Sequence, residues 1–214
     1  MKAIVLAGSN GIGKGISDEL NLICDEVIST SSKDLDTSNI KQVKEFVSKE
    51  KQTDVLVLNT GGPPAKDFYD ITEDEWFKYY NQLFYSFIYI LQNLNINDSG
   101  YIFLISSHQI KEPKETMSLS VAYRIAFSSV LKLLTKKYGN RQISCINIAP
   151  GPIGTDRLLS LVGDIKELES RLPMGRVGNV KEIGLFIKSI IENNIKYLTG
   201  VTINFDGGHS SYVL

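Results

Sequence analysis

Apolar positions along the chain follow two alternating rhythms. Short runs rich in β-branched residues, at 3–6, 26–30, 54–59, 101–106, 143–149 and 201–205, predict strands. Between them, helical periodicity predicts helices near 12–22, 38–50, 72–94, 119–138 and 180–192. Several short runs are apolar at nearly every position, the pattern of strands covered on both faces. This alternation predicts βαβ units and a doubly wound α/β fold, a parallel sheet flanked by helices on both faces. Two helices carry start signals. Thr72 with Glu75 and Asn179 with Glu182 have the spacing at which a cap side chain and the third helical residue satisfy each other's backbone amides. No linker, internal repeat or low-complexity tract interrupts the pattern, so residues 1–214 read as a single domain.

Composition narrows the classes. A formal net charge of −1 provides no basic field for nucleic acid or an anionic membrane. The longest apolar run is far below the roughly 18 residues of a membrane span. The opening "MKAIVLAGSNGIG" reads directly into a glycine turn, not into a signal peptide. Cys24 and Cys145 lie far apart and form no metal-ligand cluster, which predicts buried thiols in a reducing compartment. The expectation is a soluble cytoplasmic domain whose partner is a small molecule, with no metal.

The chemistry begins at "AGSNGIG", between the first strand and the first helix. Gly8, Gly11 and Gly13 permit a tight turn, close approach of backbone to a pyrophosphate and close packing of helix on strand. Amides at the helix start, with Ser9, Asn10 and Ile12 in the same turn, favour phosphate charge. The loops 60–66 and 106–118 follow strands, where ligands bind in open α/β sheets. At the end of the second strand stand Ser29, Thr30, Ser31, Ser32 and Lys33, with no carboxylate among them. Hydroxyls and an ammonium there suit a 2′-phosphate, which favours NADP(H) over NAD(H).

Taken together, the motifs resemble the short-chain dehydrogenase/reductase family, in its branch similar to 3-oxoacyl-(acyl carrier protein) reductases. "AGSNGIG" (7–13) looks like that family's glycine turn, "NTGG" (59–62) its Asn-Asn-Ala-Gly strand end, and "LISS" (104–107) the strand ending in its catalytic serine. "INIAPGPIGT" (146–155), "LPMGRVGNVKEIG" (172–184), "YLTG" (197–200) and "FDGG" (205–208) match later segments in order. The resemblance implies a Rossmann-type fold and hydride transfer between a nicotinamide and a ketone, aldehyde or alcohol. It implies cofactor contacts from Asn59, Thr60, Gly61, Pro150, Gly151, Ile153 and Thr155. Asp36 (or Asp34) takes the place of an adenine-binding aspartate, and Asp36 reads equally well as a helix-entry residue. Thr155 reads both as a carboxamide ligand and as a helix N-cap.

The family's catalytic group is Asn, Ser, Tyr and Lys. Ser107 takes the serine position, and is also placed to cap backbone. Family spacing counted from Ser107 lands on Ser120 and Arg124, so the Tyr-x-x-x-Lys pair is replaced by Ser120-x-x-x-Arg124. Leu83 takes the Asn position. Arg124 keeps the cation that binds ribose, but it does not relay protons. Ser120, Tyr123 and Arg124 share a helix face, so Tyr123 either points its phenol toward Ser107 as proton donor or packs against the next helix or a subunit partner. His108 is a second possible proton source. Segment 156–173 reads as a substrate lid, in which Leu158, Leu159, Leu161 and Val162 either suggest an apolar substrate or pack the lid down. The family also implies a homodimer or homotetramer through helices 72–94 and 119–138. Tyr79, Phe84, Phe87 and Phe127 are candidates for that surface or for the core.

Overall fold

Period-two alternation along the strands sets up two apolar layers. The structure, a computed structural model, describes residues 1–213. Its strands are β1 (Lys2–Val5), β2 (Glu26–Ser29), β3 (Gln52–Leu58), β4 (Asn95–Ile105), β5 (Ser144–Pro150) and β6 (Val201–Phe205). They form one parallel sheet in the order β2-β1-β3-β4-β5-β6. The helices are α1 (Gly11–Leu20), α2 (Ile40–Glu50), α3 (Glu73–Tyr80), α4 (Ser86–Asn93), α5 (Ser118–Tyr138), α6 (Asp156–Leu159), α7 (Ile165–Ser170) and α8 (Val180–Glu192). Ala3, Val5, Val55, Val57, Phe103 and Ile105 pack with Ile16 and Leu20 of α1 and Ile183 and Ile187 of α8. Ile4, Leu56, Leu58, Ile102 and Leu104 pack on the other face with Val43 and Val47 of α2, Phe87 and Ile90 of α4, and Phe127 and Leu131 of α5. The expected doubly wound architecture is present.

The chain moves outward from β1 to β2, then crosses back to β3 on the other side of β1. That reversal opens a crevice beyond the carboxyl ends of β1 and β3, between the glycine turn and the loop after β3. β2 is an edge strand, because residues 30–39 lead directly into α2 without a further strand.

Both expected capping boxes are formed, at Thr72/Glu75 and at Asn179/Glu182. The stretch 72–94, expected as one helix, divides into α3, a π-helical turn at Asn81–Tyr85, and α4. Such turns recur at functional sites. β4 begins six residues earlier than expected. Asn95 and Ile96 pair with Gln52 and Thr53 before a register shift, a feature hidden by the turn-like composition of 95–100.

Of the aromatic candidates for an assembly surface, Phe87 and Phe127 are core residues at 1% exposure. Their rings pack edge to face, 5.2 Å between centroids. The exposed apolar groups on these helices are instead Phe77, Tyr80, Tyr85, Ile125 and Leu133. The helical stretch Glu115–Arg141, with a mean hydropathy of 1.3 over 18 residues, is long and apolar enough to cross a membrane by length and composition. In this fold it packs Leu119, Phe127 and Leu131 into the protein interior. Cys145 is buried but Cys24 only half-buried; burial pushes their thiols up to about 12 and about 11.

Candidate active site

The glycine turn is held by its neighbours. The Ala7 amide donates to Thr30 Oγ1 (3.1 Å), and Asn59 Nδ2 donates to the Ala7 carbonyl (3.4 Å). Asn59 therefore ties the end of β3 to the turn. A Cβ at Gly13 would lie 2.0 Å from the Ala7 oxygen, so only glycine permits this approach. Gly11 has φ +52°, and a Cβ there would meet the Thr155 methyl at 3.4 Å, which brings Thr155 opposite the turn. Gly8 is wedged between Ser17 and Ser29. Asn10 occupies the N-cap of α1 without a side-chain bond to its amides. Those amides, with Ser9 and Ile12 beside them, are a cradle suited to phosphate oxygens.

At the end of β2, one expectation is corrected. Asp34 turns back and accepts from both the amide (2.9 Å) and the hydroxyl (2.6 Å) of Ser31, so a carboxylate does stand there. These bonds hold Asp34 below the usual carboxylate range. Ser32 and Lys33 are exposed. Asp36 accepts from the amide and hydroxyl of Ser38 (2.9 and 2.8 Å) in a turn ahead of α2, whose N-cap is Asn39.

The loop after β3 is clamped by Gln82, which sequence reasoning missed. Its Nε2 donates to the Gly61 carbonyl (2.8 Å) and to Thr60 Oγ1 (3.3 Å), and Thr60 Oγ1 also meets Thr37 Oγ1 at 3.0 Å. Gln82 lies in the π turn, one residue ahead of the buried Leu83. A polar residue beside the position counted for the family's Asn was the available signal.

Arg124 joins the remaining pieces. Its Nε donates to Ser120 Oγ (3.2 Å), its Nη1 to the carbonyls of Ile105 (2.8 Å) and Ser106 (3.3 Å), and its Nη2 to that of Thr60 (3.4 Å). The guanidinium thus links Ser120 to the end of β4, immediately before Ser107. Burial, with Arg157 adding like charge, lowers its pKa to about 10, still a cation at neutral pH. Ser107 caps a short 3-10 turn by accepting from the Gln109 amide (3.2 Å), and its own proton remains available for donation. Ser120 likewise accepts from Arg124 and keeps its proton.

Tyr123 does not point toward Ser107. Its hydroxyl donates to the Trp76 carbonyl (3.0 Å), and its ring packs edge-on against Trp76 and Tyr80, each 5.9 Å away. Partial burial raises its pKa, opposite to what a proton relay needs. The packing alternative therefore describes this residue. The aromatic neighbours on α3 draw it away, although it shares its helix face with Ser120 and Arg124.

His108 is also turned inward. Its Nδ1 lies 3.0 Å from the Pro150 carbonyl and its ring packs against His209, with desolvation lowering its pKa. Pro150 ends β5, and Gly151 packs against Asp206. Ile153 is buried and bridges to Gly178. Thr155 caps α6 by accepting from the Leu158 amide (3.3 Å). In the segment after it Leu159 and Leu161 are exposed, whereas Leu158 and Val162 are half-buried. An apolar recess of about 430 Å³, lined by Ile110, Ile125 and Leu133 among others, shares no residue with this cleft.

A glycine turn at a sheet's switch point, facing polar groups at the next strand ends, defines a dinucleotide-binding type of fold. Residues 8–210 match the family model described as enoyl-(acyl carrier protein) reductase. The chain belongs to the short-chain dehydrogenase/reductase family. It is 28% identical to the 3-oxoacyl-[acyl-carrier-protein] reductase FabG of Buchnera aphidicola, over 97% of this chain and 96% of that protein. It is also 28% identical to the FabG of Chlamydia muridarum, over 96% of each. Among solved structures, a short-chain dehydrogenase/reductase from Brucella melitensis superposes with a TM-score of 0.88 at 17% identity, over 99% of this chain and 97% of that one. A blue fluorescent protein from a metagenomic library, in complex with NADPH, gives 0.85 at 22% identity, over 98% of each chain.

Proposed function

We propose that the protein is a nicotinamide-dependent carbonyl reductase (or the reverse alcohol dehydrogenase) in which Ser120 and Arg124 stand in for the family's tyrosine and lysine beside the retained Ser107. The carrying observation is the Arg124 guanidinium, which ties Ser120 to the strand end before Ser107, beside a glycine turn that faces Thr155. The α1 cradle, Asn59, Thr60, Gly61 and the segment from Pro150 to Thr155 would hold the dinucleotide. When bound there, the nicotinamide would supply the hydride for the carbonyl carbon.

The chain's own groups act on the oxygen. Ser107 and Ser120 hydroxyls donate hydrogen bonds to it, and the fixed charge of Arg124 polarises Ser120 and favours developing negative charge. The alkoxide takes its proton from a serine hydroxyl that solvent reprotonates. Serine is a weaker acid than tyrosine beside lysine. Since general acid–base catalysis typically contributes ~10²–10⁴-fold, turnover is expected to be slow.

NADP(H) is favoured over NAD(H). Lys33 and Ser32 stand exposed at the end of β2, and solved relatives with this fold hold NADPH. Asp34 works against this preference and makes it modest. The family resemblance extends to a cytoplasmic homodimer or homotetramer, and the exposed Phe77, Tyr80, Ile125 and Leu133 support an assembly surface. The test is titration with NADPH and NADH, followed by a panel of ketones and aldehydes. Tighter NADPH binding and slow, carbonyl-dependent NADPH oxidation are expected. Binding without oxidation across the panel would replace the enzyme by a cofactor-binding protein of the same fold.

A further inference from the structure

The chain has five arginines, and three of them meet carboxylates: Arg141 with Asp98, Arg171 with Glu167, and Arg176 with Glu182. Arg124 and Arg157 have no carboxylate within ion-pair distance among the described residues. These two converge on one spot. A Cβ built on Gly62 would lie 3.5 Å from Nη2 of Arg157 and 3.8 Å from Nη2 of Arg124. A small group above Gly62 is therefore within reach of both guanidiniums.

Two like charges held together, one of them in a fully buried residue, cost free energy unless a counter-charge joins them. Donor accounting shows where it would bind. An arginine has five N–H donors. Arg124 spends one on Ser120, two on the Ile105 and Ser106 carbonyls and one on Thr60, which leaves one Nη2 proton on the side of Gly62. Arg157 spends Nη2 on the Pro63 carbonyl, and its Nε, 3.8 Å from the same spot, bonds to no protein group among the described residues. Planar guanidinium forks match the oxygens of a carboxylate or phosphate, which a lysine ammonium does not.

We propose that Arg124 and Arg157 together bind an anionic group of the substrate, a carboxylate or phosphoryl group carried near the reacting carbonyl. The inference rests on the reductase reading and deepens it: the substrate is an oxo acid or a phosphorylated carbonyl compound, not a neutral ketone. It gives the otherwise unmatched arginine of the segment following Thr155 a role in specificity.

The experiment is calorimetric titration of the NADPH-saturated protein with matched pairs: acetoacetate against methyl acetoacetate, and dihydroxyacetone phosphate against dihydroxyacetone. At least one anion should bind ten-fold or more tightly than its neutral partner. The stronger pair identifies carboxylate or phosphate. In Arg157→Gln that advantage should collapse to within about two-fold, with melting temperature and NADPH affinity retained. Equal binding within both pairs, or an advantage that survives Arg157→Gln, overturns the proposal. Loss of NADPH affinity matching the loss of anion affinity also overturns it, because the arginines would then serve the cofactor's phosphates. If NADPH itself does not bind, the reductase reading falls. The same anion titrations on the cofactor-free protein then decide the arginine pair alone.

Discussion

The two walls of the cleft are built from different materials. The wall at β1 is backbone: a glycine turn fixed by Thr30 and Asn59, its shape set by approaches no side chain permits. The wall at β4 and α5 is side chain: a buried guanidinium spread over three carbonyls and a serine. Backbone-built binding has little room for substitution, whereas a side-chain constellation can be exchanged group by group while the fold persists. Accordingly the turn keeps its glycines, with one fewer residue between the first two than the family pattern. In the proposed site the opposite wall would keep Ser107 and carry Ser120 and Arg124 in place of the family's tyrosine and lysine.

The largest effect is expected at the backbone wall. In Gly13→Ala the new methyl would lie 2.0 Å from the Ala7 oxygen and 2.8 Å from Asn59 Nδ2, so the turn must move. Overpacking of this kind costs about 1–3 kcal/mol of stability. NADPH affinity should fall by roughly 10²-fold, since ~1.4 kcal/mol is tenfold and several amide contacts shift together. Fluorescence titration and thermal melting measure the two. Unchanged affinity would mean that the turn does not hold the dinucleotide.

At the side-chain wall the change should fall on turnover. Arg124→Gln leaves buried carbonyls without donors, costing about 1–3 kcal/mol of stability. It should lower turnover by ~10²-fold with smaller loss of NADPH binding. The double variant Ser120→Tyr with Arg124→Lys restores the family pair in its register and is expected to raise turnover at least ten-fold. A folded, NADPH-binding double variant with no gain would show that this wall has diverged beyond the pair itself.

These contrasts explain what the sequence made legible. Strand and helix order, both capping boxes and the glycine turn are local features, written in periodicity and in neighbours three or four residues apart. The direction of Tyr123 was not, because it depends on Trp76 and Tyr80, more than forty positions away in sequence. Gln82 and Arg157 act through a π turn and a loop approach that no spacing rule encodes. Asp34 was weighed only for adenine, and its return to Ser31 is a loop conformation.

A smaller effect tests the correction at Tyr123. Tyr123→Phe removes the hydrogen bond to the Trp76 carbonyl and keeps both aromatic contacts. It should cost about 0.5–1.5 kcal/mol in urea unfolding. Turnover should remain within two-fold. A ten-fold loss with stability corrected would return Tyr123 to the catalytic group.

The smallest effect is a pH dependence of stability from His108, at the border of the side-chain wall. Desolvation lowers its pKa, partly opposed by the Pro150 carbonyl, while His209 and Lys114 lower it further and Asp206 raises it. The folded protein therefore resists a proton that the unfolded chain accepts near pH 6.5. Below that value the unfolded state binds more protons, so stability is present above about pH 6.5 and falls as the pH drops from there toward the lower folded value. The capping-box carboxylates Glu75 and Glu182, held at about 2, lose their contributions only below their ordinary value of 4.5. The interval between pH 5.5 and 7 thus reports on His108. Urea unfolding across it should show stability rising with pH, and His108→Gln should flatten the slope. A slope unchanged in the variant would overturn the assignment of this pH dependence to His108.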